Sequence, residues 1–141
     1  MRFDALLRAH AFVRVQRPPE IWEAKTDDER FIPLLGELLA AVVSRGVQLH
    51  DVTLLVSNVT VQQSDDDPVQ SPPAGDYVAV TVSGEVDLGR DESWTPTAGP
   101  SKSTLGCLHD RMIVAGVQYA YIRRRASEGS ATVFLNRLQH R

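Results

Sequence analysis

The chain has one cysteine, two lysines and no apolar run near the roughly 20 residues that a membrane-crossing helix requires. A single thiol, Cys107, excludes an internal disulfide and any zinc cage built from cysteines, since each needs at least two. With only Lys25 and Lys102 present and a net charge of −3, a broad phosphate-neutralising surface is not expected. The segment Met1-Arg2-Phe3-Asp4 has an early acid, and neither a sustained apolar stretch nor a small-residue cleavage site follows it. No signal peptide is therefore expected, and the expected location is cytoplasmic.

What is present is ordinary globular material. Of 141 residues, 43% are hydrophobic and 23% charged, which predicts one α+β domain over 1–141 with a self-sufficient core. The most informative pattern is Gly-Val-Gln, which occurs at Gly46-Val47-Gln48 and again at Gly116-Val117-Gln118, each time between a helix-like and a strand-like stretch. A glycine there suits the left-handed residue that commonly ends a helix. Each half thus reads as helix, glycine stop, strand, strand.

The first helix carries Leu34, Leu35, Leu38, Leu39, Val42 and Val43 at helical spacing. Thr26-Asp27-Asp28-Glu29 has capping-box chemistry with Thr26 at the cap. Pro33 leaves two options, a separate first turn or a helix that starts with Pro33 near its first position. The second helix is expected to carry Leu105, Leu108, Met112 and Ala115 as its stripe. Strands are expected over 47–62, 77–88, 117–125 and 131–138, with a five-residue turn at 126–130 in the last hairpin. Apolar parity changes around Ser57-Asn58, which predicts a bulge. Residues 1–16 fit either a helix or a strand, the strand from about His10 to Gln16 being favoured. Two long polar loops, 63–75 and 89–103, separate these elements. The whole predicts a two-layer sandwich in which an antiparallel sheet of four or five strands is covered by two helices, in the order (β)αββαββ.

The chemistry-bearing residues do not converge. Cys107 and His109 lie two apart on a predicted helix, about 200° around its axis, so they cannot form a thiolate–imidazolium pair. His50-Asp51 falls in a strand, where neighbours face opposite sides. His10 and His140 lie near the ends, and Asp65-Asp66-Asp67 lacks the glycine and distal glutamate of a calcium loop, so no metal site is expected. Gly99-Pro100-Ser101-Lys102-Ser103-Thr104 lacks the glycine that precedes lysine in a phosphate loop, and plain capping by Ser101 or Ser103 is the simpler reading.

Alternation in the strands points to a surface instead. Val78, Val80 and Val82 share one face and Tyr77, Ala79, Thr81 and Ser83 the other, while Tyr119, Tyr121 and Arg123 fall together with Val117. If the valines pack on the helices and Tyr119 and Tyr121 join the far side, Tyr77, Tyr119, Tyr121 and Arg123 form an amphipathic open face; otherwise the two tyrosines belong to the core and Arg123 to Arg125 are a solvated strand end. The leading expectation is a non-enzymatic binding or assembly module that pairs with another copy, or another protein, through that face and needs no cofactor. One alternative is a small enzyme or ligand-binding protein with a pocket near Trp22, Trp94 and His109. The other is a single-stranded nucleic-acid binder that stacks bases on Tyr119 and Tyr121 beside Arg123.

Overall fold

The computed structural model describes residues 14–42, 52–62, 72–85, 91–125 and 128–138. Gly46, the His10, His50-Asp51, Asp65–Asp67 and His140 sites, and most of the 63–75 loop lie outside them. Within them the chain forms a mixed α+β fold with a six-stranded sheet and two short helices. The elements are β1 (Arg14–Gln16), α1 (Asp28–Val42), β2 (Thr53–Val61), β3 (Gly75–Glu85), β4 (Glu92–Trp94), α2 (His109–Val114), β5 (Val117–Arg125) and β6 (Glu128–Asn136). A 3-10 turn, Gly106–Leu108, leads into α2.

The sheet order is β1-β2-β3-β6-β5-β4. All neighbours are antiparallel except β1, which runs parallel to β2. One strand therefore exceeds the expected sheet of four or five. β1 is the favoured reading of the ambiguous first segment, while β4 lies inside the stretch expected as a loop. Three residues with one apolar side chain, Glu92-Ser93-Trp94, are too short for periodicity to reveal. The last hairpin is also tighter than expected, since Arg125 pairs with Glu128 and only 126–127 lie between.

α1 shows how sequence directs packing here. Its cap is Asp27, not Thr26: the Asp27 side chain accepts the Arg30 N–H at 3.2 Å, and Thr26 is buried instead. The helix runs on through Pro33, which has no N–H to offer the Glu29 carbonyl and lies exposed. One missing bond is tolerated because Phe31, Leu34, Leu35, Leu38 and Leu39 fall on a single buried stripe. That stripe seals the valine face of the sheet. Val78, Val80 and Val82 of β3, Ala131, Val133 and Leu135 of β6, and Leu54 and Val56 of β2 join it in one core. Burial of each valine or leucine among them stabilises by about 1.5–3 kcal/mol before chain entropy is counted. The second stripe is shorter as a helix than expected. Leu105 and Leu108 reach the core from the turn and Met112 from α2, with Ala115 just beyond it.

Two parity expectations change. The β2–β3 register runs without interruption from Thr53↔Ser83 to Val61↔Gly75, so there is no bulge at Ser57-Asn58. The apolar parity flips because the helix-side face ends there in polar work. Asn58 accepts the Trp22 N–H at 3.0 Å and donates to the Glu20 carbonyl at 2.7 Å, fastening the segment that leads to α1. Val59 and Val61 lie on the opposite face. The irregularity sits in β5, where Val117 pairs with Leu135 and Tyr119 with Phe134, leaving Gln118 extra. Val117 therefore points into the core and parts from Tyr119.

Gly116, between α2 and β5, has φ +73°, and a Cβ there would lie 3.1 Å from Thr26 Oγ1. Gly36, inside α1, would place a Cβ in open space. The two glycines should therefore respond oppositely to alanine in chemical denaturation. Gly116→Ala is expected to lose about 1 kcal/mol or more. Gly36→Ala is expected to gain about 0.5–1 kcal/mol by lowering the entropy lost on helix formation. A neutral Gly116→Ala or a destabilising Gly36→Ala would contradict this reading of the backbone.

Candidate functional site

The sheet face turned away from the helices is built by simple alternation. Each strand that sends Val, Leu or Ile into the core must send the intervening residues outward. Register then sets Tyr77, Ala79, Thr81 and Ser83 of β3 opposite Asn136, Phe134, Thr132 and Ser130 of β6. Beyond β6, Tyr119, Tyr121 and Arg123 of β5 stand opposite Phe134, Thr132 and Ser130. All four residues expected on this face, Tyr77, Tyr119, Tyr121 and Arg123, are there, and the Gln118 bulge is what places the β5 trio in step with β6.

Phe134 is the hub of this surface. Its ring centroid lies 6.0 Å from Tyr77, 5.8 Å from Tyr119 and 6.1 Å from Tyr121, in edge-on or tilted geometries. Tyr119 and Tyr121 are themselves 6.0 Å apart. Such pairs add about 0.5–1.5 kcal/mol each beyond burial of their area. The Arg123 guanidinium lies 4.7 Å from the Tyr121 centroid, a cation–π contact on the exposed side of the cluster. Phe134 was legible in principle, because Ser130, Thr132, Phe134 and Asn136 alternate with Ala131, Val133 and Leu135. Its role as a hub needed the strand order, which brings β6 between β3 and β5.

The face is graded in exposure. Tyr77, Ala79, Tyr119 and Thr132 are buried, while Tyr121, Phe134, Thr81 and Ser83 are half-buried and Arg123 is exposed. Leu55 of β2, also on this side by register, is 36% exposed. Three hydroxyls here have partners within the chain: those of Thr81 and Thr132 bond each other at 2.7 Å, and that of Tyr77 donates to the Pro73 carbonyl. Burial of Tyr77 pushes its phenol above the ordinary value of 10.0, because a phenolate there would lose its hydration.

The pocket residues do not gather. Trp22 is held near the end of β2 and β6, with its N–H on Asn58 and the Arg137 guanidinium 4.1 Å from its ring centroid. Arg137 also reaches Asp76 at 3.6 Å, and Asp76 accepts the Thr60 hydroxyl at 2.8 Å. Trp94 and His109 sit together at the opposite edge of the sheet. The buried Trp94 indole donates from Nε1 to His109 Nδ1 at 3.1 Å, with the two rings 5.6 Å apart.

The turn before α2 is occupied by the chain itself. Glu92 Oε1 accepts the Leu105 N–H at 2.7 Å, and the Ser103 hydroxyl accepts the Gly106 N–H at 3.1 Å. Ser103 thus satisfies one N–H of the 3-10 turn, neither serine caps α2, and the chain's own carboxylate stands where an anion would otherwise approach. Cys107 is exposed, with its thiol directed to the Ser101 carbonyl and not to His109. Among the described residues no group of three or more His, Cys, Asp or Glu could hold a metal ion, and no helix is long and apolar enough to cross a membrane.

No known family model matches this chain, and no curated protein matches it.

The environment of Tyr77 carries a pH expectation. Its proton is retained more firmly in the folded state than in the unfolded chain, so its contribution to stability is fully present below about pH 10 and is lost as pH rises through the higher folded value. Denaturation across the alkaline range should show stability falling in the wild type, and falling less steeply in Tyr77→Phe. Parallel curves would show that Tyr77 does not carry the effect.

Proposed function

We propose that the protein is a non-enzymatic binding module that pairs with a second copy of itself through the sheet face opposite the helices. The observation that carries this reading is the ring cluster of Tyr77, Tyr119, Tyr121 and Phe134, set on a sheet face that neither described helix covers. Aromatic residues in place of charged ones are what interface centres favour. Among the described side chains of β2, β3, β5 and β6 on this face, Arg123 alone is charged, and it is already laid over Tyr121. A symmetric contact sets each side chain against the same surface of its partner, so a face with little charge avoids self-repulsion. The Thr81–Thr132 hydroxyl pair lowers the cost of losing water further, because each hydroxyl keeps a partner when covered.

The Arg123–Tyr121 stack favours a second reading, a single-stranded nucleic acid whose bases stack beside an arginine. That reading requires affinity that falls steeply with salt. The geometry favours a pocket enzyme less, since Trp22 is fixed apart from the Trp94–His109 pair.

Light scattering on the wild type and on Tyr121→Asp tests the pairing. Tyr121 is half-buried at the exposed side of the cluster, so the substitution should leave far-ultraviolet circular dichroism unchanged while converting a dimer to a monomer. An oligomer insensitive to Tyr121→Asp with the fold intact would exclude this face. A wild type that stays monomeric at high micromolar concentration would exclude self-pairing altogether.

A further inference from the structure

The two edges of the sheet are unequally guarded. At one, β4 pairs with residues 120–122 of β5, and the next residues along β5 are Arg123, Arg124 and Arg125, a run of like charge that opposes pairing with its own copy. At the other, β1 covers only residues 53–55 of β2, and Pro18-Pro19 follow it closely with no N–H to continue the ladder. Among the described residues no backbone group pairs with the outer edge of β2 over residues 56–61. β2 also has none of the devices that usually blunt such an edge. Its nine residues include no charge and no proline, and they keep register with β3 without a bulge. Ser57, Val59 and Val61 are half-buried and Thr60 is exposed. Residues 20 and 22 are fastened to the Asn58 side chain and form no backbone–backbone bond with β2.

We infer that residues 56–61 are a strand-addition edge whose occupant is the same stretch of a second copy, antiparallel about a two-fold axis through Val59. Opposed residues in a sheet share a face, so such an axis passes through a residue and not between two. Through Val59 it sets Val59 against its own copy, Asn58 against Thr60 and Ser57 against Val61. All five residues lie clear of Leu55, which β1 already takes. An axis through Asn58 would instead press together two amides that are each already bonded to residues 20 and 22.

The lack of charge selects a copy as the occupant. A strand opposed to itself doubles every charge it carries, and β2 carries none to double. Pairing with the opposite edge of another copy is blocked by β4, and such a head-to-tail contact would not close. The edge contact is separate from the outer face and does not rest on it. Five residue pairs fall well short of the roughly 1,000 Å² that a stable interface buries, so the mass seen by light scattering reports the outer face while the edge joins copies transiently.

The test uses the full chain with Cys107→Ser, so that an introduced cysteine is the only thiol, and with Tyr121→Asp, so that the outer face does not bring copies together. Val59→Cys and Thr60→Cys are made singly in that background and treated at high micromolar concentration with a one-carbon bis-methanethiosulfonate cross-linker. Exposure alone favours Thr60→Cys. The two-fold favours Val59→Cys, which should form covalent dimer roughly tenfold faster. Ser57→Cys mixed with Val61→Cys should give more dimer than either gives alone. Equal rates at 59 and 60, or a faster Thr60→Cys, would overturn the proposal. So would a Val59→Cys cross-link that forms with Tyr121 present and is lost with Tyr121→Asp, since it would then belong to the outer face. Should a cysteine in β2 unfold the chain, amide hydrogen exchange in the protein carrying only Tyr121→Asp decides the matter. Protection of residues 56–61 should rise with protein concentration, and exchange there that ignores concentration would overturn the edge contact.

Discussion

The seal between the leucine stripe of α1 and the inner faces of β2, β3 and β6 is the contact on which the rest of the structure depends. It assigns every strand residue to one of two sides, because a strand that buries alternate positions has no freedom over the others. Val78, Val80 and Val82 are buried against the helices, and Tyr77, Ala79, Thr81 and Ser83 must therefore lie on the far face. A register slip of one residue would place tyrosine rings under α1 and valines on the outer surface. The ring cluster is thus a consequence of the core, and not a feature added to it.

The bulge at Gln118 is the one local device this arrangement needs. Val117 fills the core beside Leu135 at the foot of β5, yet Tyr119 and Tyr121 must join Phe134 and Thr132 on the opposite side. The even spacing of Val117, Tyr119 and Tyr121 would put all three on one face if the strand were regular. One extra residue resolves the conflict and leaves Ala120 and Ile122 in the core. Gly116 immediately before it turns the chain out of α2 through a conformation that side chains rarely adopt. The glycine turn and the bulge are separated only by Val117.

Long-period signals were legible in the sequence and short or three-dimensional ones were not. The α1 stripe, the β3 alternation and the Gly116 stop each follow from residues near one another in the chain, and each is present in the fold. β4 was hidden because three residues show no period, and because its anchors, Leu105 and His109, are distant in sequence. The Asn58 clamp mimicked a bulge, since a polar residue at a core-facing position looks like a parity change unless its partners at Glu20 and Trp22 are known. Asp27 rather than Thr26 caps α1 because Thr26 is drawn inward, next to Gly116. On the outer face, Tyr77, Tyr119, Tyr121 and Arg123 could be grouped from parity alone. Phe134 emerged as their hub only once β6 was placed between β3 and β5.

The association proposed for the outer face is tested most directly by hydroxyl-radical footprinting of the wild type at increasing protein concentration. Tyr121 and Phe134 report the outer face, and Ile113 and Val114, 45% and 57% exposed on α2, report the opposite layer as internal references. The account predicts that modification of Tyr121 and Phe134 falls as concentration rises from low to high micromolar while Ile113 and Val114 react at a constant rate. Constant modification of Tyr121 and Phe134, or protection confined to Ile113 and Val114, would contradict it.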